Sequence, residues 1–157
     1  MALHIALIEP CRADNAGRIA RLCVEADTPL HFIGPAGFAL DDRELRRAGP
    51  KDWSTVDLWL HPDWFTFRDA IARSRCLYFS PEAERDLAEA EFGPASVLIF
   101  GNEEHGLPPR ILEKHPRWCY RVPPGRGDTG LADQVALVLE AGRAAGNGPR
   151  RSRRRRR

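Results

Sequence analysis

His4-Ile5-Ala6-Leu7-Ile8-Glu9-Pro10-Cys11-Arg12-Ala13-Asp14-Asn15-Ala16-Gly17-Arg18-Ile19-Ala20-Arg21-Leu22-Cys23 is the stretch on which the reading of the fold turns. It opens with a near-continuous apolar run, breaks at Pro10, and then repeats Ile19, Leu22, Cys23 and Ala26 at helical spacing. That is a strand, a loop and a helix, with Asp14 expected as the helix N-cap. A strand that is apolar at successive positions belongs to a sheet covered on both faces.

The same alternation continues along the chain. Further strands are expected at Leu30 to Ile33, Val56 to Leu60, Cys76 to Phe79, Val97 to Phe100 and Trp118 to Val122. Between them lie a short charged helix, Asp42 to Arg47, closed by Gly49 and Pro50, and a helix from Pro62 to Arg73 offering Phe65 and Ile71 to the core. A last helix is expected from Leu131 to Arg143, with Leu131, Val135, Val138 and Leu139 on one stripe and Gly146 and Gly148 beyond its end. Alternating strands and helices predict an α/β fold with a mostly parallel sheet flanked by helices. Glycine- and proline-rich loops at 10–17, 101–109 and 123–130 follow strands, and in open α/β sheets ligands sit outside the carboxyl ends of strands.

With 157 residues the chain has the size of one domain, read as residues 1–148, followed by a disordered arginine-rich tail at 149–157. The net charge of +2 hides an asymmetry: seven arginines fall in the tail, and without them 17 basic residues face 22 acidic ones, about −5. Such an arm has no apolar face to order it and suits salt-sensitive neutralisation of phosphates. No apolar run approaches the roughly 20 residues of a membrane span, and the first residues read as a strand, not a leader. Four separated cysteines with no C-x-x-C pair signal neither a metal site nor a disulfide framework, which fits the cytoplasm.

None of the glycine loops is a Walker A sequence or a dinucleotide-binding G-x-G-x-x-G, which disfavours a nucleotide triphosphatase or a Rossmann dehydrogenase. Glu9-Pro10 with Asn15 to Cys23 resembles the first motif of the SPOUT superfamily, in the branch of TrmL-like (YibK-like) tRNA 2′-O-methyltransferases. Phe100-Gly101-Asn102-Glu103-Glu104-His105-Gly106-Leu107-Pro108 resembles the second motif, and Arg121-Val122-Pro123 the entry to the third. Arg46-Arg47-Ala48-Gly49 with Asp52-Trp53 also matches that branch, so the resemblance runs from Leu3 to Ala141.

The resemblance implies a C-terminal deep trefoil knot, an exception to ordinary topology rules, and a homodimer. It implies S-adenosyl-L-methionine as cofactor, leaving S-adenosyl-L-homocysteine, and the 2′-hydroxyl of a tRNA wobble nucleotide as acceptor. Carried over residue by residue, the cofactor would lie against Phe79, Gly101, Gly106, Val122, Asp128 and Leu131. Arg21 and Glu103 take the motif positions tied to catalysis. A guanidinium with a pKa above about 12 is a poor base, so Arg21 is expected to hold an RNA phosphate, and Glu103 to brace its loop.

The third motif departs from the family, with Gly130 in place of an asparagine, and Ala132 and Asp128 in place of serines. Three other readings therefore stay open: an RNA-binding protein with impaired catalysis, ribose methylation of rRNA, and a ligand-free α/β dimerisation module.

Overall fold

The computed structural model describes residues 3–71, 76–123 and 130–147. They form β1 (His4–Ile8), α1 (Ala13–Glu25), β2 (Leu30–Ile33), α2 (Arg43–Ala48), β3 (Leu58–His61), α3 (Trp64–Ile71) and β4 (Cys76–Ser80). β5 (Arg85–Asp86), β6 (Val97–Phe100), α4 (Pro109–Lys114), β7 (Cys119–Arg121) and α5 (Gly130–Asn147) follow. All seven strands join one parallel sheet in the order β3-β2-β1-β6-β4-β7-β5. The fold is α/β, as the alternating pattern requires.

Both faces are covered, which explains the continuous apolar strands. Ile5 and Leu7 of β1 pack into one cluster with Ile19 and Ala20 of α1 and Val135 and Val138 of α5. Ala6 and Ile8 point the other way, into a cluster with Phe67 of α3 and Ile111 of α4. Each fully buried large aliphatic side chain contributes about 1.5–3 kcal/mol by leaving water. Gly17 lets α1 and α2 approach closely, since a Cβ there would lie 2.5 Å from the Leu45 carbonyl oxygen.

Several expected boundaries move for identifiable reasons. Helix α1 starts at Ala13, so Asp14 is a first-turn residue paired with Arg12 at 3.4 Å and Arg18 at 3.6 Å, not the N-cap. Asp52 caps a tight turn over Trp53–Thr55 that also takes up Val56, which delays β3 to Leu58. In α3, Phe67 is buried and Phe65 is 75% exposed. Phe65 and Ile71 are six residues apart, about 240° around the helix, and cannot share a face. Helix α5 runs through Gly146 to Asn147, past the expected end at Arg143, and Gly142 lets it pack closely on Leu3, where a Cβ would come within 2.7 Å. The two-residue β5 carries too short a pattern to be read from sequence. The arginine-rich tail, 149–157, and residues 124–129 of the third glycine-rich loop lie outside the described residues.

On the α3 side of the sheet, three histidines from neighbouring strands form a row. His4 Nδ1 and His31 Nε2 are 2.9 Å apart, as are His31 Nδ1 and His61 Nε2. Phe67 presents its edge to His31 and His61, and Trp59 stacks with His31. Each contact needs one donor and one acceptor nitrogen, so the row is satisfied when all three rings are neutral and share one tautomeric sense. Burial, then the neighbouring His4 and His61, push His31 down to about 4. Burial also lowers His61, and it lowers His4 against the opposing pull of Asp57.

Because the folded His31 holds its proton less tightly than the unfolded one, at about 6.5, acid favours unfolding. The stabilisation is present above pH 6.5 and is lost as the pH falls to about 4, a change on the order of 3 kcal/mol. Chemical unfolding followed from pH 7 to 4 will show that loss in the wild type and a flatter profile in His31→Phe. Parallel profiles would contradict it.

Candidate active site

The carboxyl ends of β1, β4 and β6 open onto one cleft of about 430 Å³. Arg12 and Asn15 approach it from the β1–α1 segment, Phe79 to Glu82 from the end of β4, Gly101 to Leu107 from the loop after β6, and Gly130, Leu131 and Gln134 from α5.

The loop after β6 is held as a compact turn. The Asn102 N–H donates to the Gly106 carbonyl at 3.1 Å and the Gly106 N–H donates back at 2.8 Å. The Asn102 side-chain oxygen accepts from the N–H groups of Glu104 at 2.7 Å and His105 at 2.9 Å. Two glycines are needed for this shape. A Cβ on Gly101 would lie 2.2 Å from the Gly106 carbonyl carbon, and Gly106 has φ +69°, with open space where its Cβ would be.

That turn is fastened to the start of α1. Glu103 accepts the Cys11 N–H at 2.9 Å and the Cys11 thiol at 3.1 Å on Oε2, and the Arg12 N–H at 3.3 Å on Oε1. Asn102 Nδ2 donates to the Glu9 carbonyl at 2.6 Å. Arg12, the N-cap residue of α1, makes no capping bond with its own side chain, so a carboxylate from 91 residues away faces the positive end of the helix. Burial and then the Glu103 carboxylate raise the Cys11 thiol, which keeps it protonated as a donor.

The expected site residues separate into groups. Phe79, Gly101, Glu103, Gly106 and Leu131 all line the cleft. Val122 is fully buried, its N–H bonded to the Ser80 carbonyl at 3.3 Å, and it supports the end of β4 from behind. Asp128 lies outside the described residues. Arg21 is on the outer side of α1, in a shallow groove with Arg18, Ala132 and Asp133, and pairs with Glu25 at 3.9 Å.

Sequence reasoning passed over two polar residues in the cleft. Asn15 is 2% exposed, and its Oδ1 has no hydrogen-bond partner among the described residues. Gln134 stands one turn into α5. Asn15 belonged to a motif already recognised, but only the tertiary packing reveals an acceptor left unpaired.

If Glu103 fastens the loop to the helix, Glu103→Ala will lower unfolding free energy by about 1–3 kcal/mol in urea titration, since three donors lose a charged acceptor. Glu103→Gln, which keeps one accepting oxygen, will lose less. Equal stability of all three proteins would show that the contact is incidental.

The SpoU rRNA Methylase family profile matches residues 2–127. The chain is 34% identical over 149 residues to the tRNA (cytidine(34)-2'-O)-methyltransferase of Burkholderia ambifaria, covering 91% of this chain and 96% of that protein. The same identity and coverage hold for the enzyme of that name from Burkholderia pseudomallei. A solved structure presented as "Structural insights into the 2-OH methylation of C/U34 on tRNA" superposes with a TM-score of 0.85 and 35% identity, covering 94% of this chain and 98% of that one. On the family match over most of its length, this chain belongs to the SpoU rRNA Methylase family.

Proposed function

We propose that this chain is an S-adenosyl-L-methionine-dependent ribose 2′-O-methyltransferase that acts on the wobble nucleotide of tRNA as a cytoplasmic homodimer. The observation that carries the reading is the braced glycine loop beside a cleft at the strand ends. The two Burkholderia relatives, by name, methylate the 2′-oxygen of cytidine 34 in tRNA, and they align along nearly their whole length.

The residues present fit the cofactor. A cleft of about 430 Å³ is within the usual range for small-molecule sites, and Phe79, Leu107 and Leu131 give it an apolar wall. Glu82 and Glu104 line it as well, beside Arg12, which pairs with Asp14, so carboxylates are at hand for a ligand carrying a sulfonium and an ammonium. Gly106 leaves room for close approach of a ligand to the backbone. When bound, the cofactor supplies an electrophilic methyl group, so the protein's task is alignment. Phe79, Gly101, Gly106 and Leu131 would hold it, with Asp128 as a further expected contact and Val122 supporting the end of β4. The exposed guanidinium of Arg21 would hold an RNA phosphate.

The groove between α1 and α5, where Leu22, Ala26, Ala136 and Leu139 lie among Glu25, Glu140 and Arg143, is the face assigned to a second copy. The altered third motif supports a second reading, an RNA-binding protein with weakened catalysis, because Gly130 has no side chain with which to contact the ribose.

Transfer of labelled methyl from S-adenosyl-L-methionine to tRNA lacking wobble 2′-O-methylation tests the proposal. Incorporation that drops at least 100-fold in Arg21→Ala supports the enzyme. Cofactor binding without incorporation by the wild type supports the second reading.

Because the rest of the chain is net acidic, tRNA affinity should lean on the tail. Deleting residues 150–157 will weaken binding and make the slope of log K against log salt shallower, by about one unit per lost phosphate contact. An unchanged slope would show that the arginines do not touch RNA.

A further inference from the structure

The corner between α2 and the turn over Trp53–Thr55 lies outside the cleft, yet it is closely fitted around one exposed arginine. The Arg46 guanidinium carbon sits over the Trp53 ring, 5.1 Å from its centroid. Its Nε donates to the Leu40 carbonyl at 2.7 Å, and the Trp53 indole N–H donates to the Arg46 carbonyl at 3.5 Å. Trp53 lies there because position 49 is glycine: a Cβ on Gly49 would come 2.2 Å from the indole ring. The carboxylates of the corner face backbone. Asp42 accepts from the N–H groups of Glu44 and Leu45, and Asp52 from that of Ser54. Among the described residues Arg46 makes no ion pair, and its two Nη groups have no hydrogen-bond partner.

A guanidinium held by an aromatic ring and a carbonyl keeps its whole charge. With Nε engaged, the edge left to solvent is the pair of Nη groups, and that fork matches two oxygens of a phosphate. Gly17 also brings this corner against α1, since a Cβ there would lie 2.9 Å from the Ala48 Cβ, and Arg21 follows one turn later on the same helix. We infer that Arg46 is a second phosphate-holding residue for the substrate tRNA: Nη1 and Nη2 donate to the oxygens of one backbone phosphate, while Trp53 and the Leu40 carbonyl hold the guanidinium in place. The inference rests on the tRNA reading and extends its RNA contacts from α1 to α2. A phosphate contact sets affinity and register without reading a base, so Arg46 acts on RNA binding and leaves the cofactor cleft as it is.

Binding of a tRNA transcript without wobble 2′-O-methylation, titrated against salt, tests the assignment. Arg46→Gln will weaken binding about tenfold, the worth of a hydrogen bond to a charged group. It will also make the slope of log K against log salt shallower by about one unit. Arg46→Lys will restore the slope but stay about threefold weaker than the wild type, because one ammonium cannot present the forked edge. Arg43→Gln removes a charge from the same helix without that seating and will cost far less affinity. Equal losses in Arg43→Gln and Arg46→Gln would reduce the effect to general charge and overturn the site, as would Arg46→Lys binding like the wild type. The Kd for S-adenosyl-L-homocysteine will be unchanged in Arg46→Gln, and a parallel loss of that binding would make the effect structural and overturn the assignment too. A wild type that binds tRNA through Arg46 but transfers no methyl supports the assignment while contradicting the enzymatic reading. A wild type that does not bind tRNA overturns both.

Discussion

The Glu103 carboxylate receives the backbone N–H groups of Cys11 and Arg12, and the geometry of the cleft depends on that contact. It joins the loop after β6 to the first turn of α1, two segments about 90 residues apart in the chain and neighbours only because β1 and β6 pair in the sheet. The arrangement is electrostatically favourable in itself, since a helix N-terminus has unpaired donors and a partial positive charge. Arg12 offers no capping side chain of its own, so the helix draws its cap from the loop it helps to position. Fixing the loop in turn fixes Gly101 and Gly106, whose missing side chains let the backbone double back and leave the cleft open.

Around that contact the site is built more from backbone and carboxamides than from titrating groups. This suits a reaction in which the electrophile is already activated and the gain comes from holding two reactants in line. An unpaired buried oxygen such as that of Asn15 normally costs stability. The carboxylates at the cleft suit a cationic small molecule.

The opposite half of the sheet has a different character. The row of His4, His31 and His61 satisfies both of its contacts with all three rings neutral and is sealed by Phe67. It couples β1, β2 and β3 side by side, and so ties the strand that feeds the cleft to the far edge of the sheet. Three adjacent parallel strands can carry imidazoles at hydrogen-bonding distance only if their registers agree, so the row also reports that the pairing is in place.

Sequence by itself determined the elements with strong apolar patterns: β1, β2 and β6 fall where their hydrophobic runs predict, and the α/β class follows from their alternation with helices. It also marked the loops in which the cleft lies, because glycines and prolines after strands are local features. The tertiary structure decided whatever depends on which distant groups meet. The start of α1 is capped through Glu103, and Phe67 and not Phe65 turns inward, each because of a partner remote in the chain. For the same reason Arg21 lies outside the cleft while Asn15 and Gln134 lie inside it: residue type and spacing specify the helix that carries a side chain, and only the packing of that helix decides what its side chains face.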